Sequence, residues 1–127
     1  MPKLIAIIDD EAEMEFFYSL VLEKALKNSQ ITLKFFQDSR DFFEWFVSNN
    51  PDLILSDINM PFISGPELCH AVRLTGRTIP IYLVSGSDEQ DYQEILSEID
   101  DCRFFNKPLN TARFQDLAYQ DLNLPLA

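Results

Sequence analysis

The chain has 127 residues, 46% hydrophobic and 24% charged, which suits a single domain spanning residues 1–127 and excludes a disordered or collagen-like chain. Ten Lys and Arg against 21 Asp and Glu give a formal net charge of −11 that repels phosphate backbones and anionic headgroups, so neither nucleic acid nor membrane is an expected partner. The longest apolar runs, such as Leu4–Ile8 and Ile81–Val84, are too short to cross a bilayer, and Asp9-Asp10-Glu11 follow the first where a signal peptide would not place them; a cytoplasmic location is expected.

In chain order, Lys3 to Ile8 reads as a strand, and Met14, Phe17, Tyr18, Val21 and Ala25 then recur at helical spacing. Ile31 to Phe36 is a second strand, followed by a helix over Ser39 to Val47 with Ser39 as N-cap. Leu53 to Ser56 is a third strand, and Pro66 to Leu74 a helix with Pro66 in its first turn and Leu68, Ala71 and Val72 inward. Ile79 to Val84 is a fourth strand, leading to a fourth helix striped by Tyr92, Ile95, Leu96 and Ile99. Cys102 to Phe105 is the fifth strand, and a final helix from Thr111 buries Phe114, Leu117, Ala118 and Leu122. Strict strand–helix alternation predicts a doubly wound parallel sheet, because each helix carries the chain back to the same edge. The second strand carries Lys34 and belongs at the sheet margin.

Cys69 and Cys102 are far apart in sequence with no second metal ligand nearby, and are read as buried thiols rather than a disulfide or zinc site. His70 is the only histidine, which argues against a site built on two imidazoles.

Ligand sites of open α/β sheets lie beyond the carboxyl ends of the strands. Here those ends carry Asp9-Asp10-Glu11, then Asp57, Ser85 and Asn106-Lys107-Pro108. Singly, each has a plain structural role: Asp10 as a cap, Asp57 as a turn former, Ser85 as a capping hydroxyl, Lys107 as a solvated charge. Together, clustered carboxylates demand a cation, and Asp9, Asp10 and Asp57 imply a hard divalent ion, Mg²⁺ by preference for oxygen. Carboxylate, Mg²⁺, hydroxyl and ammonium are the parts of a phosphoryl-transfer site.

At this point the sequence resembles the receiver domain of two-component response regulators, the family that includes the chemotaxis regulators. The resemblance rests on Ile7-Ile8-Asp9-Asp10-Glu11, on Leu55-Ser56-Asp57-Ile58-Asn59-Met60-Pro61 with Gly65-Pro66-Glu67-Leu68, on Val84-Ser85-Gly86, and on Phe104-Phe105-Asn106-Lys107-Pro108. It implies a flavodoxin-like sheet of order 2-1-3-4-5 with five helices. It implies that Asp57 accepts a phosphoryl group from a histidine kinase or phosphotransfer protein. Asp10, Asp57 and the backbone carbonyl of Asn59 would bind Mg²⁺ directly, and Asp9 through a water. Lys107 would pair with Asp57, Ser85 would donate to a phosphoryl oxygen, and Ser85 with Phe104 would form the switch. The Lys107–Pro108 bond is expected to be cis. The output is expected on the face formed by the fourth helix, fifth strand and fifth helix. There a downstream protein, or a second copy presenting Arg103 or Arg113, would meet the acidic run between Asp88 and Asp101.

Three residues depart from the family's habit: Ser85 stands for Thr, Gly86 for Ala and Phe104 for Tyr. None removes an essential group. A Mg²⁺-dependent phosphohydrolase of the haloacid dehalogenase type is the remote alternative, but it would carry an acid where this chain has Asn59. No enzymatic turnover beyond self-directed phosphoryl transfer and autodephosphorylation is expected. Stand-alone and excised readings, the latter from a larger regulator or hybrid kinase, remain open.

Overall fold

The computed structural model describes residues 2–27, 29–86, 102–107 and 109–124. Five strands, β1 (Lys3–Ile8), β2 (Ile31–Phe36), β3 (Leu53–Asp57), β4 (Ile81–Ser85) and β5 (Cys102–Asn106), form one parallel sheet of order β2-β1-β3-β4-β5. Four helices are described: α1 (Met14–Ala25), α2 (Ser39–Phe46), α3 (Gly65–Leu74) and α4 (Thr111–Asp121). The helix expected around Tyr92, Ile95, Leu96 and Ile99 lies outside the described residues, as does Pro108 with its expected cis bond. Among the described residues no helix is long and apolar enough to cross a membrane.

β3 and β4 are buried along their whole length, as expected of strands covered on both faces. Successive side chains alternate between two cores. Ile5, Ile7, Leu55, Tyr82, Val84 and Phe105 pack against Tyr18 and Leu22 of α1 and Phe114 and Ala118 of α4. Ala6, Ile8, Ile54, Leu83 and Phe104 pack against Phe42 and Phe46 of α2 and Leu68 and Val72 of α3. The register aligns Ile8 with Ser56, Asp57 with Val84 and Ser85 with Asn106, so the strands end at nearly one level. As expected, β2 lies at the margin, with Thr32 and Lys34 facing solvent.

Two expectations are corrected. The N-cap of α2 is Asp38, not Ser39: its extended backbone lets the carboxylate accept the Arg40 N–H, whereas Ser39 is already helical and buried. Cys69 and Cys102 are not separate thiols but a disulfide joining α3 to the start of β5. Sequence separation hid their proximity, because the fold sets the buried face of α3 against the outermost strand.

Candidate phosphoacceptor and metal site

β1 continues its ladder one residue past its end, through the Asp9 N–H to the Phe36 carbonyl at 3.0 Å, and this drives the Asp9 carboxylate into the interior. There it is fully buried and accepts three donors: the Glu11 N–H at 3.0 Å, the Lys107 ammonium at 3.2 Å and the Tyr18 hydroxyl at 3.4 Å. Such a group is tolerated in an apolar surround only because it is hydrogen-bonded and ion-paired. Asp10, one residue on, is not a cap. The N-cap position of α1 is Glu13, with no side-chain cap, which leaves Asp10 for other work.

Asp57 closes β3 and is only 6% exposed. Its carboxylate lies 3.6 Å from the Lys107 ammonium and accepts the Asn59 N–H. Burial pushes the Asp57 carboxyl up to about 6; Lys107 and the Asn59 amide oppose this, and Asp9 and Asp10 add to it. For Lys107, burial alone would lower the ammonium, but Asp57 and Asp9 outweigh it and hold it above its ordinary value. Lys107 is thus nearer Asp9 than Asp57, so it bridges both acids rather than serving Asp57 alone.

One oxygen each from Asp9, Asp10 and Asp57 lie within 4.8 Å of one another. An all-carboxylate set with a solvent-side member suits a hard, hydrated divalent cation. Asn59 is exposed in the loop that follows. That loop is closed by the Gly65 N–H on the Ile58 carbonyl at 2.9 Å, and α3 then starts in a capping box between Ser64 and Glu67.

Ser85 ends β4 and is buried, and its carbonyl accepts the Lys107 N–H at 2.7 Å, which fastens the lysine to the neighbouring strand. A Cβ at Gly86 would meet nothing within 4 Å, so the missing methyl leaves open space there. Phe104 is buried on the α2–α3 side of the sheet. Its carbonyl accepts Arg113 Nη1 of α4 at 2.6 Å, and the same guanidinium lies 4.3 Å from the Phe105 ring centroid. Arg103 pairs with Asp121, which also accepts the Tyr82 hydroxyl. Both arginines offered as partner contacts are therefore engaged within the chain.

The structure brings together Asp9, Asp10, Asp57 and Lys107, with Ser85 on the adjoining strand end. Sequence reasoning passed over Tyr18, counted only as a core residue. A tyrosine in an otherwise hydroxyl-free stripe was the available signal, since a buried phenol requires a partner. Burial, with the Asp9 carboxylate beside it, raises its hydroxyl well above the ordinary range.

The sequence profile of the response regulator receiver domain matches residues 5–119. The alkaline phosphatase synthesis transcriptional regulatory protein SphR of Synechococcus elongatus is 28% identical over 134 residues, covering 95% of this chain and 51% of SphR. The response regulator MprA of Mycolicibacterium vanbaalenii is 28% identical over 88 residues, 69% of this chain and 36% of MprA. The chain spans about half the length, or less, of these relatives. Among solved structures, the chemotaxis response regulator CheY4 of Vibrio cholerae is 20% identical with a TM-score of 0.79, covering 95% of this chain and 99% of that one. Full-length FixJ from B. japonicum is 21% identical with a TM-score of 0.80, covering 95% and 58%. At these identities the structural likeness speaks for the fold.

Proposed function

The chain belongs to the response regulator receiver family, and from that premise we propose that it accepts a phosphoryl group on Asp57 from a histidine kinase or phosphotransfer protein. The observation that carries this reading is a recessed carboxylate, Asp57, set between two further acids and a fixed ammonium at one edge of the sheet. An Asp57 oxygen attacks phosphorus, the P–N bond to the donor imidazole breaks, and the imidazole leaves with the electron pair and is protonated. Water later cleaves the acyl phosphate, and Asp57 is regenerated.

Asp10, Asp57 and the Asn59 carbonyl would hold Mg²⁺, with Asp9 acting through a water. Bound there, the ion supplies charge neutralisation for the carboxylates and for the phosphoryl oxygens. Lys107, tied to Asp9 and to the Ser85 carbonyl, would pair with a phosphoryl oxygen once Asp57 is phosphorylated. Ser85 would donate its hydroxyl to another. Phe104 would follow Ser85, and its carbonyl bond to Arg113 offers a route from the switch to α4 and a protein-docking face. The chemistry is self-directed, without turnover of a free substrate, and the chain's charge of −11 opposes direct contact with nucleic acid.

The test is intact-mass measurement after incubation with acetyl phosphate, with Mg²⁺ or with chelator. A gain of one phosphoryl group is expected in wild type with Mg²⁺ and in neither Asp57→Asn nor chelated samples. A gain that persists in Asp57→Asn would remove the assignment.

A further inference from the structure

Phe62 has φ +71° with a bulky side chain, a backbone region that Gly or Asn enters far more readily. The Ile63 N–H reaches the Pro61 carbonyl at 2.8 Å, so Phe62 is the centre of a strained three-residue γ-turn. The strain does not serve the core, because the residue is 66% exposed. Its ring instead lies 3.6 Å beneath the Arg40 guanidinium. Arg40 is itself held: Asp38, the N-cap of α2, accepts Arg40 Nε at 3.1 Å and Nη2 at 2.7 Å. One residue before Asp38, Gln37 Nε2 donates to the Asp10 carbonyl at 3.4 Å.

Gln37 of the β2–α2 connection and Arg40 of the first turn of α2 would supply no ligand, yet between them they touch the loop carrying Asp9 and Asp10 and the loop carrying Asn59. We propose that Gln37, Arg40 and Phe62 form a brace that fixes the spacing of these two loops, making Arg40 and Phe62 positioning residues for divalent-cation binding. This rests on the metal site of the proposed function. Mg²⁺ demands near-ideal octahedral geometry, so a small relative shift of two ligand-bearing loops costs affinity even though neither braced side chain touches the ion. The strained turn at Phe62 has its compensation in the stack, which lies at the surface rather than in the interior.

The experiment is calorimetric Mg²⁺ titration of wild type, Arg40→Ala, Phe62→Leu, Phe62→Tyr, the Arg40→Ala/Phe62→Leu double variant, and Glu44→Gln on the exposed outer side of α2. Thermal unfolding of each metal-free protein is recorded alongside. Arg40→Ala and Phe62→Leu are expected to weaken binding by about tenfold. The double variant should be no worse than either single one, Phe62→Tyr and Glu44→Gln should bind as wild type does, and each metal-free protein should still unfold cooperatively, its midpoint lowered only slightly where the stack is removed. Equal affinities throughout, losses that multiply in the double variant, or losses that track a collapse of the metal-free fold would each overturn the brace. Wild type that binds no Mg²⁺ would overturn the proposed metal site and the brace with it.

Discussion

Asp57 gives the protein a pH dependence. Its folded carboxyl is raised from 3.8 to about 6 by burial, with Asp9 and Asp10 adding to the rise. The native state therefore holds more protons than the unfolded chain between these values, and stability must fall as pH rises across that window. The expected loss is about 2–3 kcal/mol between pH 4 and 6.5, levelling off above it. Asp121, held below the ordinary carboxylate range against its burial by Arg103 and the Tyr82 hydroxyl, acts in the opposite sense at lower pH. Urea denaturation of the metal-free protein across this range checks the loss, and saturating Mg²⁺ should abolish it by favouring the ionised form. A metal-free profile that is flat from pH 4 to 7 would count against the burial of Asp57. At this scale the sequence named the carboxylates that the structure brings together, since strand ends are legible as places where apolar runs stop. It did not reveal that Lys107 leans toward Asp9, nor that Tyr18 joins them, because those depend on side-chain directions set by packing across the sheet.

Among the described elements, α3 is coupled to the site through its first residue. Gly65 opens it in a space where a Cβ would stand 2.6 Å from the Asp57 carbonyl oxygen and 2.9 Å from the Ile58 Cα. Both are backbone atoms, so Gly65→Ala must displace the end of β3 itself. We expect about 1–3 kcal/mol of destabilisation together with slower phosphorylation by acetyl phosphate. Ser64→Ala breaks the capping box and should cost about 1 kcal/mol while leaving the phosphorylation rate alone. Denaturant midpoints and phosphorylation time courses on the two variants separate packing from capping; equal kinetic effects would contradict the separation. The elements were largely readable because strands covered on both faces are apolar on consecutive residues. The stripe of α1 was less so: Leu22 is buried beside Tyr18 and Ala25, while Phe16 and Leu20 face outward. A helix rich in apolar residues all round does not announce which of them turn inward.

At the scale of the molecule, the Cys69–Cys102 disulfide spans 33 residues and fastens the outermost strand to α3. Closing a loop of that size in the unfolded chain is worth about 3–4 kcal/mol by chain entropy. Reductant is therefore expected to lower the denaturation midpoint of wild type and to leave the Cys69→Ser/Cys102→Ser variant unmoved. Identical midpoints for wild type with and without reductant would mean that the bridge adds nothing to stability in solution. Spacing could not expose this pair, just as it could not expose the Arg40–Phe62 stack. Both join elements that become neighbours only once the sheet is assembled. What the sequence did carry was the convergence of Asp9, Asp10, Asp57, Ser85 and Lys107, because a parallel sheet brings all its carboxyl ends to one edge whatever their separation along the chain.

β1 lies between β2 and β3, so the first three strands can close on one another using only the residues up to Asp57. Asp9, Asp10 and Asp57 meet at that moment. Lys107 follows β5 at the far margin and reaches them only when the last strand docks. Folding that proceeds from the amino terminus therefore gathers the carboxylates before their ammonium counter-ion is available, and the growing nucleus is self-repelling. A divalent cation relieves that repulsion early. We predict that Mg²⁺ speeds the folding limb in stopped-flow refolding of the metal-free protein, whereas Lys107→Ala acts mainly by speeding unfolding. Mg²⁺ acting on the unfolding limb alone would place the meeting of the acids after the rate-limiting step. On that order of events, the gathered acids precede the lysine that later shares their charge.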